Sequence, residues 1–225
     1  MRSARARVRS LSRPRALGAG RPQGAPALEP AAAAVAAFLD ALHLPHAVRA
    51  GPDLAETARR VAEAWLDELV DGYRRDPAEI LSGAMPSRAR DLVAVTGIDY
   101  VSVCPHHLLP SRGVAHVAYL PGGALAGFGQ VVKVVDAHAH RLVLAEDLAR
   151  DVAGELALHL GARGAACLLE AEHLCLSVRG ERRPRARAHA EAWVGALAED
   201  GPARRRFLAL AEARPLRARS RRRGG

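Results

Sequence analysis

One stretch of sequence decides the fold: residues 91–123, which read DLVAVTGIDYVSVCPHHLLPSRGVAHVAYLPGG. Apolar and β-branched residues on both sides of Gly97 predict strand structure with a turn at that glycine. The alternating segment 114–120 predicts a further strand, which a Pro-Gly-Gly turn ends. The loop before it, residues 104–113, holds a cysteine, two histidines and two prolines. The stretch therefore predicts strands that present a loop of reactive side chains at one end.

Downstream, the spacing of the apolar residues changes from that of a strand to that of a helix. An apolar stripe predicts one long amphipathic helix over residues 131–160, with Gly161 and Gly164 at its exit. Residues 165–179 alternate as a strand does, and residues 187–197 are its expected hairpin partner. A short helix is expected near residues 203–213.

Upstream, the pattern predicts two helices, over residues 29–44 and about 54–73, and residues 78–90 are interpreted as a loop. The chain order is then two helices, two strands, a long helix and two strands. This order predicts an α+β fold, in which an antiparallel four-stranded sheet carries the long helix on one face.

The composition is that of a soluble globular protein and excludes several classes. Apolar residues make up 49% and charged residues 25% of the 225 residues. Because no uncharged apolar run reaches 18 residues, we expect no membrane span. Three cysteines cannot form a disulfide framework, so we expect a reducing compartment, the cytoplasm.

The net charge of +9 belongs to the two ends of the chain. Residues 1–23 and 214–225 carry thirteen arginines and no acidic residue, so the rest of the chain carries −4. A DNA-binding fold would instead place its basic residues on a packed face. We interpret the ends as solvated, disordered arms rather than as a transit peptide, with nonspecific nucleic-acid contact as the less favoured alternative.

Two short segments carry the residue types of a metal site: CPHH at residues 104–107 and HLC at residues 173–175. Cys104 and His107 have the spacing of a zinc-binding pair, and Cys175 supplies a third ligand. Three protein ligands leave the fourth tetrahedral position for water, as in catalytic zinc sites.

His106 and His173 lie beside these ligands, and imidazoles there are suited to proton transfer. Since residues 173 and 175 share strand parity, both side chains are expected to face the same pocket. The remaining cysteine, Cys167, is expected in the core. The other histidines are expected to be ordinary core or surface residues: His43, His46, His116, His138, His140, His159 and His189.

These segments, with collinear matches around them, resemble the GTP cyclohydrolase I family. The matching pieces are ARRVAEAW (58–65), CPHHLLP (104–110) with Gly113, AYLP (118–121), GFG (127–129), RL (141–142) with Glu146, and EAEHLC (170–175) with RG (179–180). The resemblance spans about residues 53–195 and implies the tunnelling fold. In that fold, protomers join their sheets into rings, and two rings stack into a homodecamer with active sites between subunits.

The resemblance also implies an activity: hydrolysis of GTP to formate and 7,8-dihydroneopterin triphosphate, the first step of pterin and tetrahydrofolate biosynthesis. It implies Zn²⁺ on Cys104, His107 and Cys175, with His106 and His173 as catalytic residues. Three further residues are implied to bind GTP, one at the guanine and two at the triphosphate: Glu146, then Lys133 and Arg179.

The chain departs from the family pattern around the substrate. Pro105 replaces a glutamate, Gly129 and Gln130 replace a Ser-Lys pair, Lys133 replaces an arginine, and Ala145 replaces a glutamine. The metal ligands are kept while the triphosphate contacts are reduced. Arginines beyond Gly180 are candidates to replace the lost charge: Arg182, Arg183, Arg185 and Arg187.

We divide the chain into a basic arm (1–27), a helical segment (28–85), a catalytic domain (86–200) and a short helix with a basic tail (201–225). Three alternatives stay open: a zinc hydrolase of the same fold acting on another purine nucleotide, a non-catalytic paralogue ring, and an unrelated basic-tailed binding module. Zinc content separates the last from the others, and formate release from GTP separates the first two from a GTP cyclohydrolase.

Overall fold

The computed structural model describes residues 27–213, so all but the last residue of the predicted arm at residues 1–27, and the tail from residue 214, lie outside it. A π-helical turn (Trp65–Leu69) and a 3₁₀ turn (Asp71–Arg74) separate α4 from α5. The helices and strands are, in chain order: α1 Leu28–Ala41, α2 His46–Arg49, α3 Pro52–Ala55, α4 Thr57–Ala64, α5 Pro77–Leu81, β1 Met85–Pro86, β2 Val93–Val103, β3 Pro110–Leu120, β4 Ala124–Leu125, α6 Phe128–Ala139, α7 Ala145–His159, β5 Gly164–His173, α8 Leu174–Ser177, β6 Ala188–Gly195 and α9 Pro202–Glu212.

The main sheet contains four antiparallel strands in the order β2-β3-β5-β6, and β1 pairs separately with β4. Strands β2 and β3 form a hairpin whose last pair is Val103 with Pro110. Strand β5 lies against β3, with Ser111 opposite His173, and β6 pairs with β5 on the other side. The predicted α+β fold with one antiparallel four-stranded sheet is confirmed, and so is the hairpin partner of β5.

The main core lies between the sheet and helices α6 and α7. Alternate residues of each strand face the helices, because side chains along a strand point to opposite faces in turn. Cys167 is fully buried in this core, as predicted. Burial of one aliphatic side chain contributes about 1.5–3 kcal/mol, and the layer contains many of them. Its fully buried members include Val117, Tyr119, Val131, Val134, Val135, Leu148, Val152 and Leu156.

Helix α9 covers part of the opposite face of the sheet and confirms the helix predicted near residues 203–213. Its Phe207 is fully buried in a second, smaller cluster that includes Ala166 and Leu197. The Phe207 ring meets the Trp193 ring edge-on, with centroids 6.0 Å apart. Both faces of the sheet therefore carry packed helices.

The single long helix predicted over residues 131–160 is wrong, because the structure has two helices, α6 and α7, with an extended segment between them. In that segment the Val143 N–H donates to the Val103 carbonyl at 3.2 Å, and Leu142 forms a bridge with Val103. These contacts replace the helical hydrogen bonds at the break. The apolar stripe continues across the break because both helices pack on the same face of the sheet.

The strand predicted over residues 165–179 is too long, since β5 ends at His173. Strand β3 begins at Pro110, which has no N–H to donate, so the ladder stops opposite His173. The following residues form the one-turn helix α8, which contains Cys175. The parity argument that joined residues 173 and 175 on one strand face is therefore wrong.

The helix predicted over residues 54–73 is broken into several short helical pieces. The break lets Gly72 approach the end of α6, where its N–H donates to the His140 carbonyl at 3.0 Å. A Cβ at residue 72 would lie 2.5 Å from that oxygen, so only glycine fits. The Arg141 guanidinium donates to the Gly72 carbonyl and lies over the Tyr73 ring, which fixes this segment on α6.

Two smaller predictions also differ. The loop predicted over residues 78–90 contains most of helix α5 and the short strand β1. The turn predicted at Gly97 is a bulge inside the continuous strand β2, where the register shifts between Val95 and Ile98. Gly97 has a φ of 75°, a conformation that a bulge commonly uses and that glycine tolerates. The helix predicted over residues 29–44 is present as α1.

Candidate metal centre

Cys104, His107 and Cys175 come together at one end of the sheet. Cys104 follows the last residue of β2, His107 lies in the β2–β3 loop, and Cys175 lies in α8. Their ligand atoms all lie within 4.8 Å of one another, with Cys104 Sγ 3.8 Å from His107 Nδ1. Two ligand atoms on one tetrahedral zinc ion are about 3.5–3.8 Å apart. The fold therefore gathers the three predicted ligands at a separation that one ion can bridge after small movements.

The hairpin loop holds its shape through its backbone. The Cys104 N–H donates to the Leu109 carbonyl at 3.0 Å, and the Leu108 N–H donates to the Cys104 carbonyl at 2.9 Å. Leu108 has a φ of 54°, the left-handed conformation that closes this turn. Cys104 is buried, Cys175 is half-buried and His107 is exposed. The site is thus closed on the Cys104 side and open on the histidine side, where a further ligand has access.

Burial raises the pKa of the Cys175 thiol, and the neighbouring Cys104 sulfur raises it further. Two thiolates this close repel each other unless a cation lies between them. Two thiolates and one imidazole suit Zn²⁺ and leave one tetrahedral position for exchange. The donor set therefore fits zinc. Within residues 27–213, no second cluster of His, Cys, Asp or Glu brings three ligand atoms this close.

The two predicted proton-transfer residues flank the ligands. His106 is exposed in the loop, with its ring centroid 6.2 Å from that of His107. His173 ends β5, and its Nδ1 lies 2.8 Å from Ser111 Oγ. The sequence analysis missed Ser111, which is 1% exposed. The sequence does contain an indication of its role. Ser111 shares strand parity with the buried Ala115 and is therefore a polar residue at a core position.

The three predicted substrate-binding residues have exposed side chains without described hydrogen-bond or ion-pair partners. Lys133 lies on α6, Glu146 lies in the first turn of α7, and Arg179 follows α8. None of the three makes a side-chain hydrogen bond or ion pair with another described residue. The bridge to Val103 brings the start of α7 to the end of β2, where the Cys104 loop begins.

The family pattern has a substrate-site lysine at the position of Gln130, but Gln130 has a structural role in this protein. Its Oε1 accepts a hydrogen bond from the Gly127 N–H at 2.8 Å, which caps α6. Its Nε2 donates to the Ile80 carbonyl at 2.7 Å. One amide therefore both starts α6 and ties it to α5.

Residues 179–187, here called the arginine loop, carry five arginines and one glutamate. The guanidinium groups of Arg182, Arg183 and Arg185 are exposed and have no acceptor in the described part of the chain. The loop is attached to α8, since the Arg183 N–H donates to the Leu176 carbonyl at 3.0 Å. Unpaired positive charge is thus concentrated next to the helix that holds Cys175.

An α+β protein with an open Cys-His-Cys group at the end of its sheet has the features of a catalytic metalloprotein. The chain belongs to the GTP cyclohydrolase I family, since the profile described as GTP cyclohydrolase I matches residues 31–212. The resemblance found in the sequence is confirmed. No helix in residues 27–213 has the length and apolar character needed to cross a membrane.

Two relatives agree with this assignment. GTP cyclohydrolase 1 of Chromobacterium violaceum is 46% identical over 157 residues, which cover 70% of this chain and 76% of the relative. GTP cyclohydrolase 1 of Ralstonia nicotianae is 48% identical over 153 residues, which cover 68% and 73%. A solved structure, the archaeosine synthase QueF-Like in the apo form, aligns with a TM-score of 0.41 at 20% identity, covering 48% of this chain and 98% of that chain.

Proposed function

We propose that this protein is a zinc-dependent GTP cyclohydrolase I, which hydrolyses the imidazole ring of GTP to give formate and 7,8-dihydroneopterin triphosphate. The observation that carries the proposal is the convergence of Cys104, His107 and Cys175 in a member of this family. The names of the two relatives support GTP as the substrate. The reaction would begin pterin and tetrahydrofolate biosynthesis.

Cys104, His107 and Cys175 would hold the zinc ion, because they supply the soft donors that it prefers. When bound in an open site, zinc acts as a Lewis acid and lowers the pKa of a water ligand towards neutrality. The Cys104 side of the group is buried, and the purine would enter from the exposed His107 side.

His106 and His173 would move the protons of the reaction. Opening the imidazole ring requires a group that accepts a proton from water and a group that delivers protons to the ring nitrogens. The two histidines stand beside the ligands on separate segments, the hairpin loop and the end of β5. They can therefore approach the purine from different directions.

Glu146 would accept hydrogen bonds from the guanine N1–H and the 2-amino group. Adenine lacks this pair of donors, so a carboxylate there selects guanine. Lys133 and Arg179 would bind the triphosphate together with the arginine loop. Because the Gln130 amide is already committed to Gly127 and Ile80, the arginine loop is the better source of phosphate contacts.

The edges of the sheet support an oligomer. Strands β2 and β6 have one neighbour each within this protomer, and exposed strand edges are normally paired or covered. We propose that protomers pair these edges in a ring, that two rings form a homodecamer with shared active sites, and that residues 86–200 are the catalytic unit. Ligand cysteines fit a reducing compartment, so we place the enzyme in the cytoplasm.

The deciding experiment incubates purified, zinc-loaded protein with GTP and identifies the product by mass, with formate measured in parallel. Equimolar formate and dihydroneopterin triphosphate are expected. Turnover of another purine nucleotide in place of GTP would indicate a different hydrolase of the same fold. Bound zinc without turnover of any purine nucleotide would indicate a non-catalytic paralogue.

A further inference from the structure

The surroundings of His173 suggest a second residue in its function. Ser111 and His173 are opposed on β3 and β5, and Ser111 Oγ lies 2.8 Å from His173 Nδ1. The Ser111 side chain is 1% exposed and has His173 as its one side-chain partner among the described residues. A buried hydroxyl loses its hydrogen bonds to water, so its burial here depends on the imidazole.

We propose that Ser111 is a positioning residue that fixes the orientation of the His173 ring, an inference that rests on the proposed function. With Nδ1 held by Ser111 Oγ, Nε2 is the ring nitrogen left free to face the reacting groups. A serine hydroxyl can either donate or accept a hydrogen bond, so this contact can persist while protons move at Nε2.

The backbone explains why a side-chain contact is needed. The β3–β5 ladder sets the separation of the Ser111 and His173 backbones. The ladder does not restrict rotation of the imidazole about its side-chain torsions. The hydrogen bond to Ser111 restricts that rotation. Ser111 follows the loop that holds His107, and His173 precedes Cys175, so this bond also joins the two ligand-bearing segments.

The first test measures formate release from GTP. Ser111→Ala is expected to lower kcat by about 10- to 100-fold, because the proton-transfer group loses its alignment. KM for GTP and metal content should stay close to the wild-type values. Ser111→Thr keeps the hydroxyl and should recover most of the activity. Ser102→Ala is the matched control, since Ser102 is a buried serine opposite Ser111 on β2 that makes no hydrogen bond to His173.

A double-mutant cycle separates a positioning role from a structural one. If Ser111 acts through His173, Ser111→Ala has no further effect on kcat in a His173→Ala background. A wild-type kcat in Ser111→Ala, or an equal loss in both backgrounds, would overturn the inference. An equal loss in Ser102→Ala would do the same.

A measurement without turnover keeps the inference apart from the proposed function. Full activity of His173→Ala, or no turnover of GTP by the wild type, counts against the proposed function. The ring ¹⁵N signals of histidine-labelled protein then decide the role of Ser111. We expect the His173 Nδ1 signal to shift between the wild type and Ser111→Ala, because the nitrogen loses its hydrogen bond to Ser111 Oγ. Identical His173 signals in the two proteins would refute the positioning role.

Discussion

Gln130→Ala is expected to destabilise the protein by about 2 kcal/mol. The amide makes two hydrogen bonds to half-buried backbone groups, at 2.8 Å from the Gly127 N–H and 2.7 Å to the Ile80 carbonyl. Each such bond contributes a net of about 1 kcal/mol. For a chain of this length, 1 kcal/mol corresponds to about 2–4 °C, so the melting temperature should fall by about 4–8 °C.

The assay is thermal unfolding at one fixed protein concentration with metal present, since oligomers melt in a concentration-dependent way. Gln130→Glu keeps the acceptor for Gly127 and loses the donor to Ile80, so its melting temperature should lie between those of the wild type and the alanine variant. The reasoning fails if Gln130→Ala melts within about 1 °C of the wild type. A raised KM for GTP at unchanged stability would instead indicate that Gln130 contacts the substrate.

Three further outcomes are expected. Cys175→Ala should lose bound zinc and activity in elemental analysis and formate assays, whereas Cys167→Ala, altered in the core, should keep both; equal zinc contents would contradict the ligand assignment. Replacing Arg183 and Arg185 by alanine should raise KM for GTP by about tenfold or more, since a charged hydrogen bond contributes about 1.5–3 kcal/mol, and an unchanged KM would place the phosphates elsewhere. Burial lowers the pKa of His116, so the unfolded chain binds more protons and stability falls as pH drops through about 6.5. The melting temperature of His116→Phe should therefore fall by less than that of the wild type between about pH 7.5 and pH 5.5. An equal fall in both proteins would refute this.

Local pattern was enough to locate β3, β5, β6 and the ligand-bearing segments, though not the end of β5. The alternation over residues 114–120 lies within β3, and the spacing of Cys104 and His107 in a loop between paired strands places both near one point. Cys175 joins them because β5 runs antiparallel to β3 and ends beside that loop.

The missed features depend on tertiary contacts that leave no periodic signal. The break between α6 and α7 is made by backbone bonds to Val103, while the apolar stripe continues because one sheet receives both helices. The end of β5 is set by where β3 begins, at Pro110. The pairing of Ser111 with His173 follows from the same register, which the sequence pattern of either strand alone does not contain.

With zinc bound as proposed, the alignment of β5 on β3 would make metal uptake a checkpoint in the maturation of this chain. A slip of β5 by one residue would displace Cys175 by about 3.4 Å and turn His173 to the other face of the sheet. The two sulfurs and the imidazole nitrogen would then no longer surround one ion. Chains with β5 in the wrong register would therefore not bind the ion. Metal binding would stabilise only the chains in which β5 is correctly paired with β3.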